Sequence, residues 1–258
     1  MKPIQIIFFD IDGTLVDPAT GKISPATVQM LHQLEEKGIK RVIVTGRPIA
    51  SLPDFGDLRF DAMATFNGCF CYCGNEVIFE APIDPKEVRQ VIDNVAAMGK
   101  PVSVAVRNRL VANGEGSDLA EYYRMAGLVL TKAEDFEETC EEKVYQIMME
   151  YRSGDEEKIL RDTENLKMAM AWTRACDVVS AAGGKGTAIE HILRYFGLQK
   201  EASMAFGDSH NDLEMMAAVG TGVAMGNGSA QIKAVADEIC GPVSEDGIYH
   251  YCLEHGLI

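Results

Sequence analysis

The sequence lacks any apolar run long enough to cross a membrane, and it has only one tryptophan among its 258 residues. A membrane-spanning helix needs roughly 20 consecutive apolar residues. Basic residues are also few, because 24 Lys and Arg face 39 Asp and Glu, for a formal net charge of −15. We therefore expect no membrane and no nucleic acid among its partners, since anionic surfaces and nucleic acids attract cationic proteins.

Export and disulfide signals are also missing. The first apolar run is only as long as a strand and ends in an aspartate, unlike a signal peptide. The seven cysteines are an odd number, which is typical of reduced thiols rather than a disulfide framework in a chain this large. We expect a cytoplasmic protein, either a monomer or a weak homo-oligomer. Its 47% hydrophobic content predicts a globular chain with an ample core.

The rest of the chain is organised around its first apolar run, residues 6–9, which reads as a strand buried on both faces. The sequence Asp10-Ile11-Asp12-Gly13 follows directly. Because side chains alternate along a strand, Asp10 and Asp12 can enter one crevice while Ile11 turns into the core. In open α/β sheets such a crevice at the carboxyl ends of the strands is where ligands bind.

Other predicted strands end in the same way. Residues 42–44 are apolar, residues 203–206 are mostly so, and residues 62–66 form a third such run before an Asn-Gly pair. The polar residues that follow these strands or open the next helix are Thr45, Gly46, Arg47, Lys185, Asp208, Asn211 and Asp212. Alternating strands and helices predict an α/β fold, a doubly wound, parallel, Rossmann-like sheet.

The pattern changes in the middle of the chain. Between Ala81-Pro82 and the small-residue link at 181–184, strands and helices alternate without further acidic strand ends. We therefore predict a catalytic core made of residues 1–81 and 182–258. Residues 82–181 would form an inserted α+β cap domain.

The predicted crevice collects carboxylates without a suitably placed His or Cys, and this donor set suits Mg²⁺ rather than zinc. The Thr45 hydroxyl, the Gly46 amide and Lys185 could hold a phosphate. A chemically complete reaction follows, in which Asp10 attacks phosphorus and Asp12 protonates the leaving oxygen and then activates water. Mg²⁺ and Lys185 would stabilise charge on the transferring group.

Four motifs occur in a characteristic order: Asp-x-Asp-Gly-Thr-Leu from Asp10, Val-Thr-Gly-Arg from Val44, Lys-Gly at Lys185, and Gly-Asp-x-x-Asn-Asp from Gly207. In this the chain resembles the haloacid dehalogenase superfamily, and most of all its Cof-type (subclass IIB) sugar phosphatases, whose cap is inserted between the second and third motifs. The resemblance covers essentially the whole chain. It implies a Mg²⁺-dependent phosphatase of small phosphorylated metabolites, with sugar phosphates as substrates.

The resemblance also implies a role for each matching residue. Asp10 would be the nucleophile and Asp12 the general acid and base. The Asp10 side chain, the Asp12 backbone carbonyl and the Asp208 side chain would bind Mg²⁺, with Asp212 in an outer position. The residues implied to bind or orient the substrate phosphate are Thr45, Gly46, Lys185 and Asn211, with Arg47 near the rest of the substrate.

Two other functions are compatible with the same motifs. A phosphomutase of the phosphomannomutase type would use the same nucleophile and move the phosphoryl group between sugar positions. A phosphometabolite-binding protein would keep the crevice without turnover. In the cap, Trp172 and Arg174 could supply a stacking face and a cation to the substrate, although a core Trp and a surface Arg are equally ordinary interpretations.

Overall fold

The computed structural model describes residues 3–171 and 173–258, apart from the side chains of residues 170 and 171. The strands in the described residues are β1 (Ile6–Phe9), β2 (Lys40–Val44), β3 (Ala62–Thr65), β4 (Phe70–Cys73), β5 (Glu76–Glu80), β6 (Val102–Val106), β7 (Arg109–Ala112), β8 (Val144–Glu150), β9 (Leu166–Ala171), β10 (Ala175–Ser180), β11 (Ser203–Gly207), β12 (Thr221–Ala224) and β13 (Glu238–Ile239).

Helices connect most of these strands. They are α1 (Pro25–Glu36), α2 (Pro85–Ala97), α3 (Ser117–Met125), α4 (Phe136–Thr139), α5 (Glu156–Ile159), α6 (Lys185–Phe196), α7 (Leu213–Ala218), α8 (Ala230–Val235) and α9 (Gly247–Glu254). Within the described residues, none of them combines the length and apolar character that crossing a bilayer requires.

The larger sheet has the strand order β13-β12-β11-β1-β2-β3-β4-β5. Neighbours from β13 to β3 run parallel, and β4 and β5 add an antiparallel hairpin at one edge. Strand β1 lies at the centre and all four of its side chains are buried, as its continuous apolar sequence predicts. The predicted doubly wound α/β fold is confirmed.

The third predicted strand is one residue shorter than expected. Residues 62–66 were the predicted range, whereas β3 ends at Thr65. Phe66 and Asn67 have φ angles of 52° and 53°, in the left-handed region that ends regular pairing. The resulting turn, residues 66–68, buries the Asn67 side chain beside the crevice at the end of β2.

A second, wholly antiparallel sheet has the order β7-β6-β8-β10-β9. We call this sheet, with the helices between β5 and α6, the cap. Apolar residues of α2 pack on one face of the cap sheet. On the other side, the ring of Tyr145 lies 5.1 Å from that of Phe66 and 5.3 Å from that of Phe70 in the larger unit. The division at residues 82 and 181 stays a prediction.

Candidate active site

Three parallel strands and one helix bring the predicted residues to one edge of the larger sheet. Strands β1, β2 and β11 end directly before Asp10, Thr45 and Asp208. Because β1 pairs in parallel with both β2 and β11, the three carboxyl ends open at the same edge. Helix α6 begins at Lys185 and points this side chain into the same place.

Lys185 lies at the centre of the site, and only 1% of its surface is exposed. Its Nζ donates to Asp10 Oδ1 at 2.7 Å and to Asp212 Oδ1 at 2.5 Å. Burial acts to lower the pKa of Lys185, but the two carboxylates more than offset that effect and the pKa is raised. The ammonium group therefore stays charged and supplies the positive charge that two buried carboxylates need.

The carboxylates themselves are difficult to ionise. Burial, and then the charge of Asp212, hold the pKa of Asp10 well above its ordinary value, with Lys185 opposing them. Burial and Asp212 likewise raise the pKa of Asp208 to about 7. Gly13, at a φ of +81°, permits this crowding, because a Cβ there would lie 2.4 Å from Asp208 Oδ2.

The same carboxylates fit a divalent cation. Asp10, Asp208 and Asp212 each offer an oxygen, and these oxygens lie within 4.8 Å of one another. Asp208 Oδ1 is buried with no hydrogen-bond partner in the described part of the chain. An unpartnered carboxylate oxygen among crowded, buried acids is what a hard cation with oxygen ligands would satisfy. The predicted metal site is thus chemically consistent with the residues present.

Both carboxylate oxygens of Asp212 accept hydrogen bonds, and in this Asp212 differs from Asp10 and Asp208. Its Oδ1 accepts from Lys185, and its Oδ2 accepts from the backbone amides of Asp208 and Ser209 at 3.1 and 3.0 Å. The next residue back, Asn211, accepts from Ser209 Oγ at 2.6 Å. With its oxygens already engaged, Asp212 is suited to orient Asp208 and Lys185.

The loop after β2 forms the other wall of the crevice. Thr45 is 1% exposed, and its Oγ1 accepts from the amide of Arg47 at 3.1 Å. Gly46 lies against two side-chain amides, since a Cβ there would be 2.9 Å from Asn67 Oδ1 and 3.4 Å from Asn211 Nδ2. Only glycine fits at position 46, so no side chain shields the Gly46 backbone amide from a phosphate.

Arg47 and Asp12 form a bidentate ion pair. The guanidinium Nε donates to Asp12 Oδ2 at 2.8 Å and Nη2 donates to Asp12 Oδ1 at 2.7 Å. Its Nη1 also donates to the carbonyl oxygens of Ser51 and, in the cap, of Ala126. Arg47 thus lies beside Asp12 and at the boundary with the cap, where the rest of a substrate would pass.

The structure describes only one of the two cap residues that the sequence suggested for substrate binding. Trp172 lies outside the described residues. Arg174 pairs within the cap, with Asp118 at 3.1 Å and Glu121 at 2.6 Å. Its guanidinium contacts two acids of α3, so the structure gives no support to a substrate role for Arg174.

Two cap residues at the crevice, Asp177 and Tyr122, were not predicted from the sequence, and they meet the Asn67 side chain there. Asp177 of β10 is 1% exposed and accepts from Tyr122 Oη at 2.9 Å and from Asn67 Nδ2 at 3.4 Å. Asn67 in turn accepts from Asn211 at 3.1 Å. One signal was present in the sequence, because an aspartate interrupts the otherwise apolar and small residues 175–180.

We expect Asp208→Asn to raise the melting temperature of the metal-free protein at pH 8. Asp208 has its pKa at about 7 in the folded protein, so its ionised form at pH 8 lowers the stability of the fold. The stability of the wild type should rise as the pH falls from about 7 towards the ordinary carboxyl value, and the advantage of the variant should shrink accordingly. A gain of about 2–4 °C is expected in a thermal melt.

The matched control is Asp93→Asn, the same substitution at an exposed position of α2, which should leave the melting temperature unchanged. The prediction is contradicted if Asp208→Asn melts at pH 8 at the same temperature as the wild type or at a lower one.

Comparison with known proteins agrees with this geometry. Residues 7–252 match the family model for haloacid dehalogenase-like hydrolases. The Bacillus subtilis protein YkrA is 28% identical over 260 residues, covering 98% of each chain. The 5-amino-6-(5-phospho-D-ribitylamino)uracil phosphatase YitU of the same organism is 27% identical over 275 residues, again covering 98% of each chain.

Solved structures give the same result. A subclass IIB sugar phosphatase of the haloacid dehalogenase superfamily superposes with a TM-score of 0.91 at 30% identity, over 98% of this chain and 100% of that one. The family and the fold of that protein are those expected from the four motifs, and the match extends over nearly the whole of both chains. The chain therefore belongs to the haloacid dehalogenase-like hydrolases, in the Cof-type subclass IIB branch, and is a phosphatase of phosphate monoesters.

Proposed function

We propose that this phosphatase is Mg²⁺-dependent and hydrolyses sugar phosphates through an aspartyl-phosphate on Asp10. The observation that carries the proposal is the buried group formed by Asp10, Lys185 and Asp212, with Asp208 beside it and Asp12 two residues along the chain. A cation held between two buried acids at a sheet edge is arranged to neutralise a phosphoryl group, because charge stabilisation is the main task in phosphoryl transfer.

In the first half of the proposed reaction, an oxygen of Asp10 bonds to phosphorus as the bond to the leaving oxygen breaks. Asp12 gives its proton to that leaving oxygen. In the second half, Asp12 takes a proton from water, whose oxygen bonds to phosphorus as the bond to Asp10 breaks, and inorganic phosphate is released. Asp12 can serve both halves because its side chain is half exposed, whereas Asp10 is only 5% exposed.

Arg47 has a defined part in this proposal. Its two hydrogen bonds orient the Asp12 carboxylate, which is the group that accepts a proton from water in the second half. For the first half, Asp12 must carry a proton, so the pair has to loosen when substrate arrives. Arg47 is then free to contact the substrate, beside the carbonyl of Ala126.

The residues that would hold Mg²⁺ are the side chains of Asp10 and Asp208 and the backbone carbonyl of Asp12. When bound, the ion neutralises charge on the phosphoryl oxygens. The chain's own groups complete the phosphate site: the Thr45 hydroxyl, the Gly46 backbone amide, Lys185 and Asn211. Lys185 keeps its charge there because both of its partners are acids.

Sugar phosphates are favoured as substrates by two observations. The similar structure described above is that of a sugar phosphatase. In this chain, a cavity between β9 and the catalytic edge is lined by polar groups that include Asn67, Lys167 and Asn211. Such groups can hydrogen-bond a hydroxylated leaving group. The family match and the complete set of acids favour a phosphatase over a non-catalytic binding protein.

The proposal is tested by phosphate release from hexose 6-phosphates and p-nitrophenyl phosphate, with Mg²⁺ or with excess chelator. We expect hydrolysis with Mg²⁺ and its loss in chelator, restored when Mg²⁺ is added back. Full activity in chelator would overturn the metal assignment. Exchange of phosphate between sugar positions, dependent on a hexose bisphosphate and without phosphate release, would instead establish a mutase.

Asp12→Ala should act differently on two kinds of substrate. Protonation of the leaving oxygen matters for a sugar alkoxide, so kcat for a hexose 6-phosphate should fall by about 10²-fold or more. Protonation matters little for p-nitrophenolate, which leaves without a proton. The rate constant of the first turnover on p-nitrophenyl phosphate should therefore fall much less. Burst kinetics on p-nitrophenyl phosphate measure that turnover, and equal losses on both substrates would contradict the role of Asp12 as the acid.

A further inference from the structure

A polar cluster lies on the side of the cap sheet that faces the crevice, and it is centred on Asp177. The carboxylate accepts from Tyr122 Oη at 2.9 Å and from Asn67 Nδ2 at 3.4 Å, and the side-chain amide of Gln146 lies beside it. All three of these neighbouring groups are neutral. Within the described residues no Lys, Arg or His forms an ion pair with Asp177, although it is 1% exposed.

The cluster adjoins the loop after β2 that forms one wall of the crevice. Asn67 connects it to the phosphate loop, because its side chain contacts Asp177 on one side and lies against Gly46 on the other. Tyr122 of α3 donates to the other oxygen of Asp177. Asp177 is therefore one side chain away from the phosphate loop, on its cap side.

The surroundings of Asp177 have acceptors in excess. The Oε1 atom of Gln146 is buried without a hydrogen-bond partner in the described residues. Two cations at the cap boundary are engaged elsewhere, Arg47 with Asp12 and Lys167 with Glu214 at 2.9 Å. A leaving group with hydroxyl or N–H donors would satisfy these acceptors, whereas a second anion would meet a buried, uncompensated carboxylate.

Resting on the proposed function, we infer that Asp177 is a specificity-determining residue: it favours phosphate monoesters whose leaving group is uncharged and carries hydrogen-bond donors, and it rejects leaving groups that carry a second anion. The carboxylate acts by direct recognition of the leaving group and by repulsion of a competing charge. Discrimination through such a repulsive element is a common basis of specificity.

The test compares glycerol 3-phosphate with 3-phosphoglycerate. Both are esters of a primary alcohol, and they differ in a neutral hydroxymethyl group against a carboxylate. We expect wild-type kcat/KM to favour glycerol 3-phosphate by about tenfold or more, and Asp177→Asn to reduce that ratio by about tenfold or more. Activity on p-nitrophenyl phosphate should change by less than about threefold in the variant, since that leaving group is small and activated.

Asp93→Asn makes the same change of charge on the far side of the cap and should leave the ratio as in the wild type. An unchanged ratio in Asp177→Asn, or a wild type that shows no preference, overturns the inference. An equal shift in Asp93→Asn also overturns it, because the effect would then be general electrostatics. A wild type that hydrolyses no phosphate ester with Mg²⁺ would instead refute the proposed function.

The wild type alone provides a second measurement if Asp177→Asn does not fold. Burial raises the pKa of Asp177 to about 7, so the carboxylate loses its charge as the pH falls from 8 to 6. The titratable groups that interact with it electrostatically are Tyr122 and Tyr123 of α3 and, on the opposite face of its own strand, Cys176. All three have raised pKa values and stay neutral in this range.

The preference for glycerol 3-phosphate should therefore weaken as the pH falls. The phosphate groups of both substrates and the catalytic acids titrate alike, and their effects cancel in the ratio of kcat/KM. A ratio that is constant between pH 8 and pH 6, or that rises towards pH 6, overturns the inference.

Discussion

Asp10→Asn is expected to abolish turnover, with kcat lower by at least about 10⁴-fold, as for other variants that remove a nucleophile. The amide has nearly the same volume as the carboxylate but cannot form the covalent phosphoryl bond. Lys185 keeps Asp212 as its acidic partner in the variant, so the fold should stay intact. The measurements are phosphate release with Mg²⁺, a thermal melt, and binding of inorganic phosphate by titration calorimetry.

Two controls make the result decisive. Intact-mass spectrometry excludes deamidation of the introduced amide back to aspartate, which would imitate residual activity. Asp93→Asn, exposed on α2, should keep full activity. If Asp10→Asn retains more than a few per cent of wild-type kcat while its mass is that of the amide, the covalent mechanism is wrong.

Lys185→Met is expected to have the second largest effect, on both rate and stability. The rate should fall by about 10³–10⁵-fold, the range found when a cation that stabilises a transferring phosphoryl group is lost. The free energy of unfolding should fall by about 3–5 kcal/mol, because Asp10 and Asp212 would remain buried without their common cation. Chemical denaturation at pH 8 measures the loss.

The pH dependence identifies its cause. Without Lys185 the pKa of Asp10 must rise further, so this buried acid gains a proton in the folded state and stability recovers as the pH falls. The deficit should therefore be smaller at pH 5.5 than at pH 8. The double variant Lys185→Met/Asp212→Asn should regain stability at pH 8 but no activity. A deficit that is independent of pH would show that Lys185 contributes by packing alone.

Much of the catalytic edge could be predicted from the sequence because each part of it is locally encoded. Four-residue apolar runs such as residues 6–9 are buried strands, and in a parallel sheet their polar successors must share one edge. The structure brings Asp10, Thr45, Lys185 and Asp208 together there, as the order of the motifs predicted. Their assignment to individual catalytic roles stays a prediction.

The cap side of the site could not be predicted in the same way. The contact of Asp177 with Asn67 joins residues 110 positions apart and depends on how the second sheet docks on the first. The sequence of residues 175–180 does not indicate which face of this strand lies towards the crevice. The ion pair of Arg47 with Asp12 is similar, because both residues were found but their mutual engagement depends on side-chain packing between two strand ends.

The separation of the acids between two sheets has a consequence for how this enzyme can change over time. The reacting carboxylates follow strands of the parallel sheet, whereas Asp177 belongs to a strand of the antiparallel one. On the role inferred for Asp177, a substitution on β10 would alter which ester is accepted without moving the ends of β1 or β11, because β10 pairs only with strands of its own sheet. Single substitutions in the cap would thus change the substrate range while the catalytic residues of the larger sheet stay the same.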